Sequence, residues 1–352
     1  MNILFIVLGV LLFNLIILAH EWGHYYTAKS FGVKVNEFAL GMGPTLFKIK
    51  KGETIFSLRA FPIGGFCAME GEDEESDDPG AFEKRKPWQK IIVVAAGAIM
   101  NLILGFVITL IILSQNSNFA SNTISKFTDN AMSQNYGLKV GDEILEVNNS
   151  HIYTYKDLAF EFTVDGDSEF DITVKRDGQI VDLKNVKFNA RPGQNNKQIT
   201  EIDFYVKPIE KNFLTLIQQS FLDTISTVKI VWSGLVGLIT GRFPLRQMSG
   251  PIGIVSAMGE ATSEGLKTSI VAALNNLLAL IAMITINLGV VNLLPFPALD
   301  GGRLVFLFFE LITRKKVNPK YEGWIHAFGL ALFIILTIFI FYSDIMRLFG
   351  KG

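Results

Sequence analysis

Apolar residues run in long uncharged blocks near both ends of the chain, and polar and apolar residues alternate in the middle. Ile3–Ala19 and Ile91–Leu113 carry no charge, 32 uncharged residues separate Lys267 from Asp300, and Gly323–Tyr342 contains only His326 as an ionisable group other than tyrosine. A bilayer core of roughly 30 Å needs about 20 apolar residues per helix, so the pattern predicts four transmembrane helices. The first block has no Lys or Arg before Lys29 and no small-residue cleavage site, so it reads as a retained helix and not as a signal peptide. Between the second and third blocks the period changes to two. Asp171–Arg176 alternates, Asp177-Gly178 forms a turn, and Gln179–Leu183 alternates again, which predicts a hairpin. Upstream, Gly137–Asn149 sets two turn glycines before an alternating strand, and Tyr155–Phe162 has a helical pattern. A second alternating region, Thr54–Arg59 and Phe61–Phe66, lies between the first two blocks and predicts a β-hairpin. Non-helical backbone is tolerated at membrane depth only where protein buries it or it lines a cavity. On pattern alone this hairpin is either a surface loop or an edge for an extended substrate. Phe213–Thr240 is apolar but interrupted by Asp223 and Lys229, as in an interfacial amphipathic helix or part of an extracytoplasmic cap.

The expected fold is thus a polytopic α-helical membrane protein with a membrane-associated β-hairpin and an inserted extracytoplasmic α+β domain. Its divisions are a first helix over 1–25, a cytoplasmic segment with the hairpin over 26–90, a second helix over 91–114 and the insert over 118–208. A linker over 209–267, an approach segment with the third helix over 268–302, a cytoplasmic loop over 303–322 and a fourth helix over 323–345 follow.

Composition sharpens this reading. Of 352 residues 49% are hydrophobic and only 18% charged, with a mean hydropathy of +0.36, whereas a soluble domain carries about 25% charged residues. Lys and Arg number 32 and Asp and Glu 33, so no basic field points to nucleic acid. The lone Cys67 excludes an internal disulfide, a Cys-rich zinc ribbon, an iron–sulfur site and a Cys-x-x-Cys motif; it reads as a small buried residue. Basic residues collect after the first block, from Lys29 to Lys90, and after the third, at Arg303, Arg314, Lys315, Lys316 and Lys320. By the positive-inside rule both segments are cytoplasmic, and the insert and both termini lie outside. The acidic run Glu70–Asp78 reads as a solvated loop. Gly97, Asn101 and Gly105, four apart, mark a face for close helix packing. The glycine turn, strand, helix and hairpin of the insert, in that order, resemble a PDZ domain. That resemblance implies peptide capture by strand addition, with steric gating of access as the alternative.

The sharpest chemical signal is His20-Glu21-Trp22-Gly23-His24. Residues four apart share a helix face, so the two imidazoles match two corners of a tetrahedral zinc site. Glu21 stands beside that site and not in it, as a base for an activated water. Ionisable groups at the end of an apolar helix are costly and mark function. A third protein ligand is needed. The soluble extension His-x-x-Gly-x-x-His fails, because Thr27 and Ser30 occupy its Gly and His positions. Asp300, closing the third block after Pro295 and Pro297, is the candidate, and the charge-derived topology puts it at the same depth as His20 and His24. His151 reads as a surface residue, His326 as a polar residue at a membrane interface, and Trp22 and Trp324 as interfacial anchors.

With these motifs the chain resembles the site-2 protease family of intramembrane zinc metalloproteases, in its bacterial RseP branch. His20–His24 in the first helix and Asn292 through Pro295, Pro297, Leu299, Asp300 and Gly301 carry the resemblance, with a PDZ-like insert in the same place. The insert has room for one PDZ unit where some relatives carry two. The resemblance implies zinc held by His20, His24 and Asp300, and Glu21 as catalytic base. It gives Asn292 a role at the substrate backbone or oxyanion, where a neutral packing role is the alternative. It also implies a hairpin, with Ile55, Ser57, Gly64 and Gly65, that holds substrate as a strand. The implied substrates are single-span membrane proteins, often pre-cut by another protease, such as anti-sigma factors or remnant signal peptides. The implied location is the bacterial inner membrane, with the active site toward the cytoplasm. Substrates should be rich in poor helix formers near the cut. Two other classes compete. A catalytically silent PDZ scaffold would need neither Glu21 nor the ligands, and a transporter would need related halves, which the chain lacks. Oligomeric state leaves no trace in the pattern.

Overall fold

The structure, a computed structural model, describes residues 3–72, 74–164, 168–192, 198–245, 248–315 and 317–348. Asp73 of the acidic run and Lys316 of the basic loop lie outside the described residues. The chain divides into two compact units, one made of 1–108 with 234–352 and the other of 109–233.

The first unit opens with α1 (Ile3–Ser30), whose last turns carry the His-Glu-x-x-His motif. Two long antiparallel strands follow, β1 (Val35–Lys51) and β2 (Thr54–Met69). They make more than a simple hairpin. Val35–Leu40 pairs with Gly65–Met69, and Thr45–Lys51 pairs with Thr54–Arg59. In addition Glu37–Leu40 lies beside Ile55–Leu58, pairing 37 with 55 and 40 with 58. Each strand therefore bends back on itself, with glycines at positive φ at the bends: Gly41 and Gly43 in β1 and Gly64 in β2. Helix α2 (Pro87–Leu113) has proline in its first position, where the missing N–H costs nothing.

The second unit contains β3 (Asn118–Phe127), β4 (Glu143–Val147), β5 (Ser150–His151), α3 (Tyr155–Val164), β6 (Glu169–Arg176) and β7 (Gln179–Lys187). It continues through β8 (Ala190–Pro192), β9 (Gln198–Thr200) and β10 (Phe204–Glu210). The main sheet runs β10-β3-β4-β6-β7, with β5 on β4, and β8 pairs with β9. Ile144, Val147, Leu158, Phe162, Phe170, Ile172 and Val174 fill its core, and the alternation in β6 follows from this one-sided burial. The Asp177-Gly178 turn has φ of 49° and 83°, as a two-residue hairpin requires. Asp142, after the second turn glycine, is fully buried and takes a two-pronged contact from Arg176, with both N–O distances 2.7 Å.

Helix α4 (Phe213–Ile239) starts in this unit, where Asn212 and Thr215 exchange backbone-to-side-chain hydrogen bonds of 2.8 and 2.9 Å, and ends in the first. The first unit resumes with α5 (Pro251–Leu266), α6 (Ile270–Asn292), α7 (Asp300–Thr313) and α8 (Pro319–Leu348). Ser269 accepts from the Ala272 N–H at 3.0 Å and starts α6.

Two expectations are refined. Among the described residues five helices are long and apolar enough to cross a membrane, the expected four and α4, whose only charges are Asp223 and Lys229. The uncharged stretch before Asp300 also divides differently. Its irregular part is not an approach segment before the span but the Leu293–Leu299 loop after it, because two prolines close together cannot continue α6.

Candidate metal centre

The last turns of α1 set His20 and His24 on one face, both about nine-tenths buried, at 9% and 8% exposure. Their Nε2 atoms are 3.2 Å apart. Asp300 Oδ2, at the first residue of α7, lies 3.2 Å from His20 Nε2 and 3.5 Å from His24 Nε2. Among the described residues no conventional hydrogen bond reaches this buried oxygen. A tetrahedral zinc ion with ligand bonds of about 2.0–2.1 Å requires ligand atoms about 3.3–3.4 Å from one another. The three measured edges match three corners of that figure, and the unsatisfied oxygen is the atom a cation would satisfy. The residues present therefore fit a zinc ion.

The imidazoles are oriented from behind by α2. His24 Nδ1 lies 2.9 Å from the Val93 carbonyl, so Nδ1 carries the proton and Nε2 is free to ligate. His20 Nδ1 lies 3.2 Å from the side-chain amide of Asn101, which is fully buried. The amide nitrogen faces the ring and Oδ1 has no partner among the described residues; with Nε2 ligating, Nδ1–H donates, and turning the amide over brings Oδ1 to accept it. A Cβ at Gly97 would come within 2.3 Å of His24 Nε2 and 2.8 Å of His20 Cε1. The small-residue face of α2 thus makes room for the rings as well as for a helix: Gly23 of α1 meets the Ala96 carbonyl at 2.4 Å from its would-be Cβ. The four-residue spacing of Gly97 and Asn101 was the signal for this in the sequence; reading it as packing alone missed the histidine contacts.

Glu21 leaves the ligand triangle to the histidines and faces the sheet. Its Cγ lies 3.3 Å from the place of a Cβ on Gly65. Gly65–Met69 pairs with β1 on one side only among the described residues. Ile55 and Ser57 are paired on both sides, Ile55 with Glu37 and Lys50, Ser57 with Ala39 and Lys48, and the Ser57 hydroxyl donates to Glu37 at 2.6 Å. Of the four hairpin residues, Gly65 is at the site, Gly64 is at the bend beside it, and Ile55 and Ser57 are interior to the sheet. Asn292 ends α6, half-buried. A cleft of about 1040 Å³ opens at Asp300, lined by Glu72, Arg303 and His326 among others.

The model of Peptidase family M50 matches residues 8–336. A Clostridium acetobutylicum protein named as a zinc metalloprotease is 35% identical over 97% of each chain. The Regulator of sigma-W protease RasP of Bacillus subtilis is 30% identical over 97% of this chain and 98% of its own. Zinc metalloprotease RasP of Bacillus licheniformis is 28% identical over the same shares.

Proposed function

Since the chain belongs to peptidase family M50, the site-2 protease family, and is a zinc metalloprotease with several candidate membrane helices, we propose that it hydrolyses peptide bonds of single-span membrane proteins within or near the bilayer. The carrying observation is the triangle of His20, His24 and Asp300, 3.2–3.5 Å on each side, with Glu21 next to it on the same helix.

His20, His24 and Asp300 would hold the ion, leaving a fourth position open. Zinc, when bound, supplies a Lewis acid that acidifies water and polarises a carbonyl. Glu21 accepts the proton as water attacks the scissile carbon and returns it to the leaving amine. The edge of Gly65–Met69 that no second strand pairs with among the described residues is proposed to take the substrate backbone. A helical peptide bond is shielded by its own hydrogen bonds, so an unwound substrate needs another partner for its N–H and C=O groups, and a sheet edge provides it. Asn292 is proposed to contact the substrate backbone or oxyanion.

Four crossings fit the site better than five. His20 and His24 lie in the last turns of α1, and Asp300 follows the short loop after α6, so those ends share one side of the membrane. A full crossing by α4 would put them on opposite sides. The polar face of α4 also has partners inside its own unit: Asp223 lies 3.3 Å from Lys156, Ser226 donates to Asp157 at 2.6 Å, and Lys229 lies 3.4 Å from Glu161. We therefore read α4 as extracytoplasmic, the second unit as a PDZ-like domain outside, and the active site as facing the cytoplasm. Substrates are proposed to arrive pre-cut, as anti-sigma factors or remnant signal peptides would.

The test is Glu21→Gln in the full-length protein, with zinc content and cleavage of a model transmembrane substrate measured together. Retained zinc with cleavage abolished is the expected outcome; normal cleavage refutes the role of Glu21.

A further inference from the structure

The aspartate of the metal triangle is held by a loop, and one contact of that loop comes from the far end of the chain. Ala298, two residues before Asp300, has φ +78°. An L-residue in the left-handed region loses roughly 1–2 kcal/mol, so something around it must hold it there. The Ala298 N–H donates to His326 Nδ1 on α8 at 3.1 Å. The imidazole is itself flanked by Phe306 of α7, ring centres 5.8 Å apart. One turn along the same face of α8, Gly329 meets Pro297: a Cβ there would lie 2.3 Å from the Pro297 Cβ and 2.6 Å from its carbonyl oxygen. Helix α8 is fastened at its far end by Asp344, which accepts from the Gly250 and Gly253 N–H groups, and is sparsely packed before that. In that sparsely packed part it nevertheless makes two contacts on consecutive residues of the strained loop.

We propose that His326 is a positioning residue for the third metal ligand: through Nδ1 it holds Ala298 in the left-handed conformation and so aims Asp300 at the two imidazoles. The assignment rests on the reading of Asp300 as a ligand. His326 lines the cleft at Asp300 but is not one of the three candidate ligands. It acts through the backbone, and its role is that of the outer partners that orient the ligands of a metal site.

The experiment is a zinc-affinity titration against a chromophoric chelator, on the detergent-solubilised full-length protein. His326→Leu removes the acceptor and should weaken zinc by about 10–100-fold, as loss of an outer-shell partner does. His326→Asn has the same shape as Leu but keeps an acceptor oxygen near the place of Nδ1, and should retain most of the affinity. Ala298→Gly makes the left-handed conformation cheap, so it should rescue His326→Leu when the two are combined. If His326→Leu binds zinc like the wild type, or if neither Asn nor Ala298→Gly restores binding, the positioning role is wrong. Asp300→Ala separates the two levels: zinc affinity unchanged there overturns the ligand reading, whereas zinc lost there and kept in His326→Leu overturns only the role of His326.

Discussion

The two halves of the metal triangle are built by different means. His20 and His24 sit four residues apart on one helix, and the helical repeat alone puts their rings together. Their surroundings have only to leave space and fix the tautomers, which Gly97, Val93 and Asn101 do from α2. Asp300 follows an irregular loop with two prolines and a left-handed alanine, and its place depends on contacts from α7 and α8. A ligand placed by periodicity is vulnerable to intrusion; a ligand placed by a loop is vulnerable to loss of support. Substitutions should therefore fail in opposite senses in the two halves, by adding atoms in one and removing partners in the other.

The largest effect should come from adding atoms to the histidine half. Gly97→Val would put side-chain carbon where both imidazoles lie. The expected result is no measurable zinc in purified protein by metal analysis. Zinc at wild-type stoichiometry would show that this half adapts as a loop does, and the contrast would fall.

Next comes the support of α7. Lys90 of α2 is 5% exposed at its side chain and bonds Glu310 of α7 at 2.6 Å. Glu310→Ala leaves that ammonium buried without its carboxylate, a change worth about 3–5 kcal/mol. Thermal unfolding should show the loss, and Lys90→Met with Glu310→Leu should recover most of it, since an apolar pair of similar volume removes the unpaired charge. A double variant no better than Glu310→Ala would mean the pair is not what fastens α7 to α2.

How far the sequence revealed the site follows the same division. The histidine spacing and the base between them are local, and five consecutive residues display them. Asp300 was found by a different route, through the long uncharged block and the side of the membrane that loop charges assign. Asn101 and Gly97 looked like a packing stripe because a sequence gives the face of a helix but not what opposes it. His326 looked like an interface residue for the same reason: its partner, a backbone N–H at residue 298, has no signature in residue type. The β-element was legible as two alternating strands. Its fold-back was not, since pairing of β1 with both halves of β2 depends on long-range register. Helix α4 was ambiguous because its polar residues answer to α3, a partner 69 residues away by the Ser226–Asp157 bond.

A medium effect sharpens the histidine half. Asn101→Leu fills the same space and removes the partner of His20 Nδ1. Zinc affinity should fall about 10–100-fold, while His24, tied to the Val93 backbone, keeps its orientation. An unchanged affinity would mean that helix geometry alone orients the ring.

The smallest effect should come from Gly329→Ala, which tests the aspartate half by adding an atom instead of removing one. The new methyl would overlap Pro297, so either the loop or the helix must move. Helix α8 is fastened at its far end, where Asp344 accepts from the Gly250 and Gly253 N–H groups, but it is sparsely packed before that, so its part beside the loop is the element that yields. Its displacement lengthens the Ala298–His326 bond without leaving a cavity or a buried charge. The expected loss of zinc affinity is about tenfold at most, roughly 1.4 kcal/mol. Because Gly329→Ala and His326→Leu act on one bond, their combination should cost little more than His326→Leu alone, as coupled neighbours do. Additive losses in zinc titrations of the two single variants and the double would instead make Gly329 a separate support of the loop, and the aspartate half would then depend on α8 at two independent points.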